Sequence, residues 1–188
     1  MKNFLIVLGV LAVVIILIIL SLVSVYNGIV SKHETITAKW SQVENQLQRR
    51  NDLIPNLVNT VKGYAAHEKT VFEDVTNARS RWTNANTIGE KVNAASNMDT
   101  ALSRLLLVVE NYPNLKADQT FLRLMDELSG TENRIAVERM RYNEAVRDYN
   151  ITVRMFPGNV VAGMFGYKSA PEYFKAEEKA KVVPEVKF

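Results

Sequence analysis

The chain has 188 residues, with 23 Lys and Arg against 20 Asp and Glu, a formal net charge of +3. That balance offers nucleic acid no basic field, which would need clustered cations with little acid among them. Cysteine is absent, which removes disulfides, thiolate metal sites and cysteine nucleophiles, and the two histidines, His33 and His67, leave little for metal or acid–base chemistry.

The first element is apolar. From Phe4 to Val25 only Gly9, Ser21 and Ser24 fall outside the hydrophobic set, and no residue is charged. At 1.5 Å per residue the run covers roughly 33 Å, enough for a hydrocarbon core of about 30 Å. Lys2 would also suit the start of a secretory signal peptide. The run exceeds the usual apolar region of such a peptide, however, and the best processing site puts the large Leu22 two residues before Ser24. The expectation is an uncleaved, single-pass anchor over residues 1–28, with the lipid bilayer as partner through residues 4–25. Lys2 before the span, and Lys32 and Lys39 after it, are too evenly placed to set its orientation.

Beyond the anchor the apolar spacing is helical. Steps of four and three pick out Ile36, Trp40, Val43, Leu47, Arg50, Ile54, Leu57, Val61, Tyr64, Glu68, Val71, Val75, Ala78 and Trp82. The series is read as two helices broken at Gly63–His67, because a single rod would outrun any partner helix the chain can supply. Pro55 has no N–H to give Asn51 and predicts a kink in the first of them. Thr87 followed by Glu90 reads as a capping box, which starts the next helix near Ile88. Val92, Ala95, Met98, Leu102, Leu105, Leu106 and Val109 form its apolar stripe, and Tyr112-Pro113-Asn114 ends it. Asp118 or Asn114 can cap a last long helix carrying Phe121, Leu124, Leu128, Thr131, Ile135, Glu138, Tyr142, Ala145, Tyr149 and Thr152. The predicted fold is all-α, an anchor followed by an up-and-down four-helix bundle over residues 29–156. A tail over residues 157–188 follows. Its Val160, Val161, Met164, Phe165, Tyr167, Tyr173 and Phe174 alternate with Lys168, Lys175, Lys179 and Lys181, which fits a packed end segment or one lying at the membrane interface.

Two charges fall where the stripes call for apolar groups. With Ile36 level with Phe156, Arg50 faces Tyr142, one turn from Glu138, and Asn59 faces Asn133. The expectation is a structural seam pair, Arg50 with Glu138, beside a polar layer of Asn59 and Asn133. Such a pair fixes register more than it adds stability.

Chemistry is sparse. Di-metal carboxylate bundles need Glu-x-x-His pairs facing inward, and neither histidine has a glutamate three residues before it. There is no Gly-x-Ser-x-Gly and no glycine-rich phosphate loop. Asp126–Glu127 and Glu177–Glu178 are adjacent, so their side chains diverge on a helix. No catalytic residue, metal or cofactor is expected.

The run Gln46-Leu47-Gln48-Arg49-Arg50-Asn51-Asp52-Leu53-Ile54-Pro55-Asn56-Leu57-Val58 resembles the signature of the LemA family. So do Val61-Lys62-Gly63-Tyr64-Ala65, Tyr112-Pro113-Asn114-Leu115-Lys116-Ala117, Thr131-Glu132-Asn133-Arg134-Ile135-Ala136, Tyr149-Asn150 and Phe156-Pro157. The resemblance implies a bacterial, membrane-anchored four-helix bundle and supplies no activity. Some relatives carry a lipoprotein signal, which favours an extracytoplasmic domain; a cytoplasmic domain is the competing assignment. The expected role is a scaffold or adaptor that self-associates or docks another membrane protein. The alternative is a bundle that binds a lipid or small ligand, for which a cavity lined by Tyr64, Tyr142 and Tyr149 would speak.

Overall fold

The first helix continues without interruption from the apolar run into the body of the protein. In this computed structural model, which describes residues 2–170 and 173–174, α1 spans Lys2–Lys62 and passes through Pro55. Five further helices follow: α2 (Lys69–Asn84), α3 (Ile88–Val109), α4 (Pro113–Lys116), α5 (Gln119–Arg154) and α6 (Gly158–Phe165). Every regular element among the described residues is α-helical. The described residues fall into two units, one from residues 2–40, 140–170 and 173, the other from residues 41–139 and 174.

In the first unit α1 and α5 lie against each other. The Trp40 ring meets Tyr142 at 5.7 Å and the His33 ring meets Tyr149 at 5.7 Å, both edge to face. Moving seven residues down α1 moves the contact seven residues up α5, so the helices run antiparallel here. Residues 4–21 are exposed all round, and Leu22 and Val25 are half-buried. Burial begins at Ile29, followed by Ile36 and Trp40 on α1, with Val146, Tyr149 and Val153 on α5 and Val161 and Ala162 on α6.

The second unit holds a core drawn from every helix that enters it. Ile54, Leu57, Val58 and Val61 of α1 gather with Phe72, Val75 and Ala78 of α2 and Met98, Leu102 and Leu105 of α3. Leu115 of α4 and Phe121 and Leu128 of α5 complete the cluster. The break after Lys62 falls at the expected place and resets the helical phase. Val71, which the unbroken spacing put on the stripe, is only half-buried, and Phe72 takes the core position.

The expected caps form. Thr87 Oγ1 accepts from the Glu90 N–H at 3.2 Å while a Glu90 carboxylate oxygen accepts from the Thr87 N–H at 3.0 Å. Pro113 occupies the first turn of α4, where its missing N–H removes no helical bond. Asp118, rather than Asn114, opens α5 by accepting the Phe121 N–H at 2.9 Å.

Candidate functional site

The groups able to do something specific lie in two places, one in each unit. The second unit contains a buried cation. Arg50 is 7% exposed, and its guanidinium pairs with the Asp99 carboxylate of α3 and, at 2.9 Å, with Glu132 of α5. One side chain of α1 is thereby tied to two other helices. Burial of a guanidinium demands such partners, since an unpaired charge inside a protein is costly. A cavity of about 10 Å³ adjoins the cluster, lined by Leu47, Arg50, Asn51, Trp82, Ala95 and Met98. That is the volume of one small solvent molecule and too little for a ligand.

This cluster corrects the seam pair read from the sequence. Arg50 takes Asp99 and Glu132 in place of Glu138, and it is Trp40, ten residues earlier on α1, that lies against Tyr142. An apolar stripe repeats every seven residues or so, and sliding one helix along another leaves apolar groups facing apolar groups. Spacing alone therefore could not fix the level of α5. The polar layer fails with the register: Asn59 and Asn133 are both exposed. The buried asparagines are Asn51 and Asn150. Asp99 and Glu132 were missed, although a charge at position 50 already required an acidic partner on a neighbouring stripe.

Two tyrosines tie the ends of the second unit. The Tyr64 hydroxyl donates to Asp118 at 3.0 Å, and the Tyr112 hydroxyl to Glu68 at 3.3 Å. Asp118 is held below the usual carboxyl range, first by the Phe121 N–H and then by Tyr64. The same hydrogen bond and the Asp118 charge push the Tyr64 phenol up. Tyr64 is 44% exposed and bonded at the surface, so it lines no internal cavity.

In the first unit aromatic rings gather at the end of the apolar run. Tyr26 meets Phe165 at 4.6 Å with the rings tilted by 50° and Tyr167 at 6.2 Å, and Tyr167 reaches His33 at 6.0 Å. The chain after α6 folds back along α5. The Tyr149 hydroxyl donates to the Lys168 carbonyl at 2.9 Å, and Arg154 donates to Ser169 at 3.1 Å. Asn150 bonds Ala170 twice, donating to its carbonyl at 3.1 Å and accepting from its N–H at 2.8 Å. Its amide thus serves both backbone groups of Ala170 as a neighbouring backbone would, which is why a polar side chain is tolerated there almost without exposure. Lys32 of α1 donates to Thr152 at 2.7 Å, near the C-terminal end of α5. Lys175, Lys179 and Lys181 of the expected tail lie outside the described residues.

Among the described residues no three His, Asp or Glu side chains converge as metal ligands would. The geometry defines an all-helical protein whose N-terminal helix is long and apolar enough to cross a membrane. The chain matches the LemA family over residues 39–188 and belongs to that family. It is 32% identical to magnetosome protein MamQ 2 of Paramagnetospirillum magneticum over 197 residues, covering 91% of this chain and 71% of that protein. A protein named MamQ in Magnetospirillum gryphiswaldense is 29% identical over 175 residues, covering 79% of this chain and 64% of its own. Protein LemA of Metamycoplasma hominis is 25% identical over 137 residues, covering 72% and 63% respectively.

Proposed function

We propose that this chain is a single-pass, membrane-anchored helical scaffold that self-associates or docks another membrane protein, with no catalytic role. The observation that carries the reading is the change of environment along α1. Its apolar residues from Phe4 to Leu20 are exposed on all sides, and Ile29, in the same helix, is fully buried. A helix apolar around its whole circumference and covered by no protein calls for lipid, in which its backbone is already satisfied. On this reading residues 1–28 are the anchor, residues 29–156 pack as an up-and-down four-helix bundle, and residues 157–188 form an end segment. The domain lies on the extracytoplasmic side of a bacterial cell membrane.

Support for an adaptor comes from the outer side of α5. Met140 and Ile151, eleven residues and so about three turns apart, share one face and are both exposed in the first unit. The test has two parts. Carbonate washing of membranes should leave the full chain in the pellet, and a Met140→Cys variant should form a disulfide-linked dimer in reconstituted vesicles. Release by carbonate overturns the anchor. Failure to cross-link to a second copy or to any membrane protein overturns the scaffold.

A further inference from the structure

The segment after α5 contains an unusual helix. From Met155 to Tyr167 the sequence holds no charged residue. Within it α6 buries Gly158, Val161 and Ala162 against its own unit. Apart from the exposed Asn159, its outward side is also apolar: Val160 is 48% exposed, Met164 69% and Phe165 59%, and Phe156 of the preceding turn is 82% exposed. Val160 and Met164 stand four apart within α6 and so share one stripe of the helix, and the exposed Phe156 sits in the turn that leads into it. A helix apolar on both faces needs cover on both faces.

The position of that stripe says what covers it. The Phe165 ring packs against Tyr26, the residue immediately after the Phe4–Val25 run. A run of that length places its last residues at the edge of the hydrocarbon, and the aromatic rings of Tyr26, Phe165 and Tyr167 then lie at headgroup depth, where amphipathic rings are favoured. Lys168, the first charge after the segment, is exposed, as an interfacial segment requires. The helix is held there by a close approach: a Cβ on Gly158 would come 2.0 Å from the Thr152 carbonyl oxygen.

We infer that Met155–Phe165 is a second membrane contact, with α6 lying in the headgroup region beside the anchor and Phe156, Val160 and Met164 dipping towards the acyl chains. The inference rests on the proposed anchor, because only a spanning α1 brings Tyr26 to the interface. Two contacts with the same leaflet would fix the tilt and rotation of the first unit on the membrane, where a single helix leaves both free.

The native chain lacks cysteine, so single-cysteine variants can be labelled cleanly. Phe156→Cys, Met164→Cys, Leu11→Cys and Leu122→Cys, each in the full chain, would carry a polarity-sensitive fluorophore and be reconstituted into phosphatidylcholine–phosphatidylglycerol vesicles. Spin-labelled lipids report contact by quenching. The expected result is a blue shift and strong loss of fluorescence at positions 156 and 164 with shallow spin labels, loss at position 11 with deep ones, and none at position 122. Quenching at position 11 but not at 156 and 164 overturns the inference and leaves the anchor standing. No quenching at position 11 overturns both. A blue shift at 156 and 164 without quenching, accompanied by disulfide formation between Met164→Cys copies, also overturns it, since a second chain would then cover the face.

Discussion

Arg50 on α1 and Glu132 on α5 meet at 2.9 Å, and the same guanidinium also holds Asp99 on α3. The three partners differ in burial: the side chains are 9% exposed for Arg50, 23% for Asp99 and 47% for Glu132. That gradient ranks the consequences of removing each. Breaking a buried ion pair costs about 3–5 kcal/mol, whereas an exposed pair contributes at most about 1 kcal/mol. Glu132→Gln should therefore lower stability only slightly, and Asp99→Asn clearly more, because it leaves a buried guanidinium with one half-exposed partner. Arg50→Leu with Asp99→Leu should recover much of the loss of Asp99→Asn. Denaturant unfolding of the full chain in detergent, followed by far-UV circular dichroism, gives the ranking; equal losses for Asp99→Asn and Glu132→Gln would refute it.

Asp118 does two things at once, capping α5 through the Phe121 N–H and accepting the Tyr64 hydroxyl. Asp118→Ala removes both, and Tyr64→Phe only the second, so the melting temperature should fall further in Asp118→Ala. The phenol reports the same bond independently. With the neighbouring anion gone, Tyr64 should ionise at lower pH than in the native chain, since the Asp118 charge and hydrogen bond are what raise it. An ultraviolet difference titration against Tyr64→Phe isolates that transition. An unchanged Tyr64 titration in Asp118→Ala would sink the assignment.

The elements were legible in the residues because their signals are local. Thr87 and Glu90 stand three apart and cap each other, Gly63 falls in the gap between α1 and α2, and the uncharged run Phe4–Val25 announces a helix long and apolar enough to cross a membrane. What the residues hid is relational. Nothing near Trp40 or Arg50 says which of them lies opposite Tyr142, because the stripe on α1 offers an apolar face at either level. Asn150 looks like a surface residue until Ala170, twenty positions later, brings a backbone to it. The unbroken passage from the apolar run into the rest of α1 was also hidden: the apolar period changes near Tyr26, although the helix does not stop there.

The capping box of α3 gives a pH-dependent contribution whose sign can be worked out. The N–H groups of Asn86 and then Thr87 hold the Glu90 carboxyl below its usual range. A lowered folded value means the stabilisation is complete above the ordinary carboxyl pKa of about 4.3 and is lost as pH falls through the lowered one. The difference in melting temperature between the native chain and Glu90→Ala should thus be largest near neutrality and close in acid. Thr87→Ala removes chiefly the uncharged acceptor of the Glu90 N–H and should cost about 1 kcal/mol with a smaller narrowing, since its hydroxyl is the least of the groups that hold the Glu90 carboxyl down. Differential scanning calorimetry of the three proteins from neutral pH to pH about 3 makes the comparison. A Glu90→Ala deficit that persists unchanged into acid would contradict the role given to the carboxylate.

Two glycines of α6 should respond in opposite directions to the same added methyl group. At Gly158 a Cβ would lie 2.0 Å from the Thr152 carbonyl oxygen and 3.1 Å from its carbonyl carbon. Both are backbone atoms of α5, so no side chain can rotate away, and α6 must shift or detach. At Gly163 nothing lies within 4 Å of the added atom, and alanine is favoured over glycine inside a helix by up to about 1 kcal/mol. Gly158→Ala should therefore speed amide exchange along residues 159–165 and at Lys168 to Ala170, whose bonds to α5 depend on where α6 leaves the chain. Gly163→Ala should slow exchange within α6 or leave it unchanged. Hydrogen–deuterium exchange with mass spectrometry on both variants, in the same detergent as the native chain, separates the cases. If Gly158→Ala exchanges as slowly as the native protein, the contact between Gly158 and Thr152 does not hold α6 in place.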